Sequence, residues 1–192
     1  MIGNDIVDLN IAAQQSNWKR PRFLNKIFTE QEQQLIHNSK NQTTTVWRLW
    51  SMKEAAYKIN IQQYGGRLFA PKKLQCTILT NQKGWVRFMG QTYQTQSVVT
   101  KNSISTIAHT LAQKQFIHKV FKINDSSYQA QSDKTKQELL QLVSQYKKVP
   151  IHNLQICKDA NNIPQLFFKG IKQKISISMA HHGLYGGCGI CW

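Results

Sequence analysis

Acidic side chains are scarce in this chain. Its 192 residues include 25 Lys and Arg but only 9 Asp and Glu, so the formal net charge is +16. A chain this short of acid cannot neutralise its own basic surface, and a surplus of this size indicates an anionic partner. The partners that fit are nucleic acid, an anionic membrane, and an acidic protein used together with a phosphorylated cofactor.

Long apolar runs are absent as well. No stretch approaches the roughly 18 consecutive apolar residues that a membrane-spanning helix needs. The first sequence motif begins at Gly3 and leaves no room for a signal peptide. We therefore expect a cytoplasmic protein that does not insert into a membrane.

Cysteine is rare, and common nucleotide-binding or hydrolase motifs are missing. Cys188 and Cys191 form a C-x-x-C pair, but a zinc site would need two more ligands and a redox pair usually opens a helix. We therefore expect free thiols, as in most cytoplasmic proteins. The sequence has no P-loop, G-x-G-x-x-G, nucleophile elbow or H-E-x-x-H pattern.

The clearest positive signal is a helix predicted from about Thr44 to Asn60. Residues 43–45 offer an N-terminal cap, and apolar side chains recur at helical spacing to give one buried stripe: Leu49, Met52, Ala56 and Ile59. Glu54 and Lys58 are four residues apart and project together from another face. On an arbitrary helix such a pair is an ordinary surface ion pair.

Further helices and strands are predicted around this helix. Residues 11–20 are interpreted as a loop. Thr29 and Glu32 form a capping box that opens a short helix, and another helix is predicted over 132–148. Short alternating segments predict two antiparallel meanders, one between residues 75 and 110 and one between 154 and 191.

The two meanders suggest an internal duplication. Several identities recur at a shift of about 80 positions: Leu74 and Leu154, Asn81 and Asn161, Phe88 and Phe168, and Gly90 and Gly170. We therefore predict an α+β fold of two similar helix-plus-antiparallel-sheet halves related by a pseudo-twofold axis. The halves would be residues 1–112 and 113–192, functioning as one domain with a site at their junction.

Two segments of the first half resemble the signature motifs of the 4'-phosphopantetheinyl transferase superfamily. Residues 3–5 (G-N-D) are similar to the family's G-(I/V)-D, although Asn4 stands where the family usually has Ile or Val. Residues 50–58 (W-S-M-K-E-A-A-Y-K) match (F/W)-(S/T/A)-x-K-E-A-x-x-K throughout. The resemblance implies the family's fold and its reaction. That reaction moves 4'-phosphopantetheine from coenzyme A to a serine of an apo acyl or peptidyl carrier protein and releases 3',5'-ADP.

The resemblance also implies site residues on the first half. Asp5 and Glu54 would hold Mg²⁺ against the pyrophosphate of coenzyme A, since Mg²⁺ usually takes one or two carboxylates plus substrate phosphates. Either Glu54 or a metal-bound water would take the serine proton. Lys58 would contact a coenzyme phosphate, and Lys53 and Arg48 on the same helix would add to the positive field there.

A second acid lies close to Asp5. In the surfactin-synthetase-activating type of the family, another acidic ligand lies two residues after the first, where this chain has Val7. Asp8 would point to the opposite face if the strand continues. We therefore expect two protein carboxylates on the metal, as in the acyl-carrier-protein synthase type.

Residues 176–183 (S-I-S-M-A-H-H-G) resemble the family's third motif, S-(I/L)-S-H-x-G. The family histidine lies at the 3'-phosphate end of the coenzyme. Either His181 or His182 could take this role, because Met179 and Ala180 separate both from the serine. In the short synthase type a neighbouring subunit supplies the histidine. Here the second half would supply it, so we expect a monomer.

A basic patch of Arg20, Arg22 and Lys26 follows the Asp5 strand. Acyl carrier proteins are acidic, so complementary charge would steer docking there; the alternative is a solvated basic face.

Two alternatives remain for the whole chain. One is a transferase-like scaffold without activity. The other is a single-stranded nucleic-acid-binding module, suggested by the interleaved cations and aromatics of residues 18–23, but no RRM, KH or zinc-finger pattern supports it.

Overall fold

The computed structural model describes residues 1–66, 69–112 and 115–192, and it confirms the predicted α+β class. The first half contains, in chain order, β1 (Ile2–Asp8), α1 (Leu9–Gln15), α2 (Phe23–Ile27), α3 (Glu30–His37), α4 (Gln42–Tyr64), β2 (Gln75–Ile78), β3 (Lys83–Phe88), β4 (Gln91–Val99) and β5 (Ser103–Thr110). The second half contains β6 (Phe116–Lys122), α5 (Tyr128–Lys147), β7 (Leu154–Lys158), β8 (Pro164–Phe168), β9 (Ile171–Lys172), β10 (Ser176–His182) and β11 (Tyr185–Cys191).

The sheets have corresponding topology in the two halves. The first half forms one sheet of order β1-β5-β4-β3-β2, and the second half forms the sheets β10-β11-β6 and β7-β8-β9. In each half the first strand pairs antiparallel with the last, as β1 does with β5 and β6 does with β11. This shared pairing places β1 and β6 at equivalent positions.

Local turn geometry repeats at the predicted shift. The β3–β4 hairpin turns at Met89-Gly90 with φ values of 48° and 76°, and the β8–β9 hairpin turns at Lys169-Gly170 with φ values of 48° and 78°. Two positive φ angles are typical of a two-residue turn that matches the twist of the strands. The division after residue 112 stays a prediction, and residues 113–114 beside it lie outside the described part of the chain.

The long helix α4 lies on the first sheet and fills its core. Leu49, Met52, Ala56 and Ile59 are fully buried, which confirms the predicted stripe. The helix begins earlier than predicted, because the side chain of Asn41 accepts the N–H of Thr44 at 3.0 Å and acts as the N-cap in place of residues 43–45.

Two other boundaries differ from the sequence prediction. Residues 9–15 form α1 and not a loop, because Asp8 caps that helix through its side chain. The helix α5 begins at Tyr128, with Ser127 as its N-cap, several residues before the predicted start at 132. The predicted capping box of Thr29 and Glu32 is confirmed.

The halves meet along β1, which packs against β10 and β11.

As predicted, the four cysteines are free, and Cys188 and Cys191 are buried on β11. Among the described residues, none of the helices has the length and apolar character needed to cross a membrane.

Candidate active site

Two carboxylates come together where α4 crosses β1. Asp5 lies in the middle of β1, and Glu54 lies on the face of α4 that is turned toward the junction of the halves. Asp5 Oδ2 is buried and has no hydrogen-bond partner among the described residues. A buried carboxylate oxygen without a donor is costly unless a cation satisfies it.

The two carboxyl groups titrate abnormally because they are buried together. Burial raises the pKa of Asp5, although Lys58, the Ser51 hydroxyl and the Ile6 N–H each lower it. Burial and the negative charge of Asp5 raise the pKa of Glu54 to about 7, against which Lys58 acts. Like charges in one buried place disfavour ionisation, and a bound cation would reverse this effect.

A cavity of about 300 Å³ opens beside the carboxylates. Asp5 and Glu54 line it from the first half, and His181 and His182 line it from the second. The remaining lining comes from β1, α1 and α4: Ile6, Val7, Ala12, Gln15, Ser16, Trp47 and Trp50. The site therefore lies at the junction of the halves. Gln15 and Ser16 were not predicted, because their segment was interpreted as a loop.

Lys58 connects the strands of the two halves. Its Nζ donates to the carbonyl oxygens of Asn4 on β1 at 2.7 Å and Met179 on β10 at 3.4 Å. It lies 3.7 Å from Asp5 Oδ1. Lys58 is thus the cation beside the carboxylate pair, and it is also a tie between the halves.

Asp8 has a structural set of partners. Its Oδ1 accepts the N–H groups of Asn10 and Ile11 at the start of α1, and its Oδ2 accepts the N–H of Leu184 in the β10–β11 turn. Gly183 is required in that turn, because a Cβ there would lie 2.5 Å from Asp8 Oδ2. Asp8 therefore joins α1 to the histidine-bearing turn.

The two histidines make different contacts. His182 Nδ1 accepts the N–H of Asp8 at 3.0 Å, so its Nε2 carries the proton and lies 3.3 Å from Gln15 Oε1. His181 Nδ1 lies 2.9 Å from Gln131 Oε1 on α5. Burial lowers the pKa of His181, and the positive charge of Lys58 lowers it further. Both rings line the cavity from β10, and both are candidates for a ligand contact.

The other basic residues of α4 lie away from this cavity. Lys53 is fully buried, and its Nζ lies 2.8 Å from both carboxylate oxygens of Glu32. Arg48 donates to the carbonyl oxygens of Thr80 and Lys83 in the β2–β3 turn. The structure gives both side chains partners within the fold, so neither is included in the site proposed below.

The second half has a cluster of charged side chains at the place equivalent to the Asp5 and Glu54 pair. By strand register, Lys119 in the middle of β6 corresponds to Asp5 in the middle of β1. Lys119 lies 2.6 Å from Glu138 on α5, and Lys134 lies 2.9 Å from the same carboxylate. Hydrogen bonds from these lysines hold the pKa of Glu138 below its usual range. The Glu138 carboxylate is thus neutralised by two ammonium groups, whereas the first cluster has two carboxylates and one ammonium group.

Two of the three residues of the predicted basic patch line an open groove. Arg20, Arg22 and Lys26 are exposed. Arg20 and Arg22 line a groove of about 360 Å³ together with Trp18 and His37, and no acidic side chain lines it. The groove therefore presents concentrated positive charge beside aromatic surface.

Comparison with known proteins gives one family match. The family model described as the 4'-phosphopantetheinyl transferase superfamily matches residues 1–120. No curated protein sequence matches the chain. Among solved structures, the chain is similar to a holo-[acyl-carrier-protein] synthase (AcpS) from Thermotoga maritima. The two share 11% sequence identity over 89% of this chain and 83% of that chain, with a TM-score of 0.44.

Proposed function

The chain belongs to the 4'-phosphopantetheinyl transferase superfamily, and on that premise we propose that it transfers 4'-phosphopantetheine from coenzyme A to a serine of an apo carrier protein. The observation that carries the proposal is the pair of Asp5 and Glu54 at the cavity between the halves. Their raised pKa values and the Asp5 Oδ2 atom without a hydrogen-bond partner are what a cation-binding pair of carboxylates would have.

The residues present fit Mg²⁺ better than a metal that needs a complete protein cage. The described residues contain no cluster of three or more His, Cys, Asp or Glu that could hold a metal. Mg²⁺ usually takes one or two carboxylates and fills its remaining places with substrate phosphates and water. Asp5 and Glu54 would hold the ion. When bound, it would offset the negative charge that develops on the pyrophosphate as the phosphoryl bond breaks.

Side chains of this protein would accept the serine proton and offset the negative charge that develops during the transfer. The serine oxygen of the carrier forms a bond to the phosphorus that bears the pantetheine arm, and the bond from that phosphorus to 3',5'-ADP breaks. The serine proton passes to the Glu54 carboxylate, which lines the cavity and would be ionised at neutral pH with a cation bound beside it. The ammonium group of Lys58 lies beside the same carboxylates and offsets negative charge.

The second half would bind the coenzyme end of the substrate. His181 and His182 line the cavity opposite the carboxylates, where a ring N–H can donate to a phosphate oxygen. The exposed groove at Arg20 and Arg22 would receive the acidic carrier, since complementary charge steers association. The carrier's serine would then approach the cavity from the side of α1.

Intact-mass spectrometry tests this proposal. The protein is incubated with coenzyme A, Mg²⁺ and a panel of apo acyl and peptidyl carrier proteins. We expect at least one carrier to gain the mass of a single phosphopantetheine group, with 3',5'-ADP released in equal amount. Omitting Mg²⁺ and adding EDTA should stop the gain. Coenzyme A that binds without modifying any carrier, or tight binding of single-stranded nucleic acid at physiological salt, would contradict the proposal.

A further inference from the structure

The first turn of α5 reaches the histidine side of the cavity. This turn precedes the start predicted at residue 132, and Ser127 caps it. Two of its side chains contact His181. The rings of Tyr128 and His181 meet edge to face, with centroids 5.5 Å apart and planes at 71°, and Gln131 Oε1 lies 2.9 Å from His181 Nδ1. The imidazole of His181 is therefore held by two contacts with α5.

The donors and acceptors around Gln131 determine which nitrogen of His181 carries the proton. Gln131 Nε2 donates to the carbonyl oxygen of Ser126, and a carbonyl oxygen can only accept. This contact fixes the orientation of the amide, so its Oε1 atom is the one that faces His181. Because Oε1 can only accept, His181 Nδ1 donates to it, and Nε2 of the neutral ring has the lone pair. Gln131 thereby selects the tautomer of His181.

The neighbouring ring of His182 is held differently. Its Nδ1 accepts the N–H of Asp8, and its Nε2 lies 3.3 Å from Gln15 Oε1, so both nitrogens have partners within the protein. Among the residues that the structure describes, His181 has a hydrogen-bond partner at Nδ1 alone. Since His181 lines the cavity, its Nε2 is the histidine nitrogen that a ligand there can bind without displacing a protein partner.

We propose that Gln131 is a positioning residue for coenzyme A, because it orients the His181 ring and keeps a proton on Nδ1, which leaves Nε2 for the ligand. This inference rests on the proposed function, in which the second half binds the coenzyme end of the substrate. A ring that is fixed before binding loses less conformational entropy when the ligand arrives. Gln131 Oε1 accepts the same Nδ1–H if the ring takes up a second proton and donates from Nε2 to a phosphate oxygen.

The substitution Gln131→Leu tests the inference, because it removes the acceptor and keeps a good helix former at this position. In calorimetric titrations with coenzyme A and Mg²⁺, we expect the dissociation constant to rise roughly 2–10-fold, the effect of one hydrogen bond. Nitrogen NMR of the histidine rings should show that the His181 proton is no longer confined to Nδ1. Gln131→Glu keeps an acceptor oxygen, so it should keep the proton on Nδ1 and bind coenzyme A more tightly than Gln131→Leu.

Gln129→Leu is the matched control in the same turn of α5. Gln129 is exposed and donates to Asp133, so the same change there should alter neither the tautomer of His181 nor the affinity for coenzyme A. Wild-type affinity in a folded Gln131→Leu protein would overturn the inference. An equal loss of affinity in Gln129→Leu would also overturn it, since the effect would then come from the helix and not from the contact with His181.

Nitrogen NMR of the unaltered protein covers the case in which Gln131→Leu does not fold. A neutral His181 with its proton on Nε2 would overturn the inference. The outcome is separable from the proposed function. Binding of coenzyme A that depends on residue 131, without modification of any carrier, would refute only the transfer. Transfer with an unchanged KM for coenzyme A in Gln131→Leu would refute only the role of Gln131, and a wild-type protein that does not bind coenzyme A would refute both.

Discussion

Two glutamates on equivalent helices show how charged neighbours set the chemistry of a residue. Glu138 on α5 lies between Lys119 and Lys134, which hold its pKa low. Glu54 on α4 lies beside Asp5, and burial with that negative charge raises its pKa to about 7. A carboxylate that is costly to ionise among its protein neighbours is available for a cation or a proton.

The substitution Glu54→Gln should stabilise the metal-free protein at high pH. The pKa of Glu54 is raised from 4.5 to about 7, so the folded state is favoured while the group is protonated, and stability is lost as pH rises from about 5 to about 8. The difference amounts to about 3 kcal/mol at full ionisation. Urea unfolding in EDTA at about pH 5 and about pH 8 should show this loss of stability in the wild type and a smaller loss of stability in Glu54→Gln. Equal losses in both proteins would contradict the assigned pKa.

The sequence predicted some residue roles and not others for a physical reason. Asp5 and Glu54 stand in local motifs whose spacing already fixes a strand and a helix. Lys53 stands in the same helical motif, but its burial depends on Glu32, and that of Arg48 depends on carbonyl groups of a distant turn. Such partners belong to tertiary packing, which the spacing of residues along one helix does not contain.

At the scale of elements, α1 was the main error of the sequence prediction. Its segment is short and polar, and its cap is the last residue of β1, so a single side chain ends the strand and begins the helix. Asp8 was therefore considered only as a possible metal ligand on the strand. In the structure its carboxylate is fully used by N–H groups of α1 and the β10–β11 turn.

Replacing Asp8 should affect stability before it affects metal binding. Asp8→Ala leaves the N–H groups of Asn10, Ile11 and Leu184 without an acceptor and should reduce the free energy of unfolding by about 2–4 kcal/mol. Asp8→Asn is the matched variant, because it keeps one acceptor oxygen and should lose less. Urea unfolding measures both. Unchanged stability together with lost Mn²⁺ binding in Asp8→Ala would identify Asp8 as a ligand instead.

At the scale of the whole molecule, both walls of the site belong to one chain. The carboxylates come from the first half and the histidines from the second, and hydrogen bonds from β1 to side chains of β10 fix one against the other. A covalent connection replaces association between subunits and keeps the second half at high effective concentration. The recurrence of the hairpin turns at Gly90 and Gly170 could be predicted from sequence. The neutralised cluster at Lys119 and Glu138 could not, because its lysine on β6 is distant in sequence from the helix it contacts.

The protein should be a monomer in solution. Because the cavity is complete within one chain, light scattering should give a mass near 22.2 kDa, with and without coenzyme A. Dilution should leave the transfer rate per chain constant. A mass of three chains, or a specific activity that falls on dilution, would show that the site is completed by another copy.

The basic groove should affect carrier use and leave coenzyme A binding intact. Reversing Arg22 and Lys26 to Glu should raise the KM for an acidic carrier, and the effect should shrink as added salt screens exposed charges. The double reversal of Lys158 and Lys174, exposed lysines of the second half, makes the same change in net charge and should have little effect. Equal loss of carrier use in both double variants would show that overall charge, and not the groove, guides docking.

Cation binding at the carboxylate pair tests the central claim most directly. Electron paramagnetic resonance can count Mn²⁺ bound per chain in the presence of coenzyme A, since Mn²⁺ shares the preference of Mg²⁺ for oxygen ligands. The comparison is between the wild type, Glu54→Gln, and Glu138→Gln at the neutralised cluster of the second half. The account predicts one bound ion in the wild type and in Glu138→Gln, and none in Glu54→Gln. Equal Mn²⁺ binding in all three proteins would contradict it.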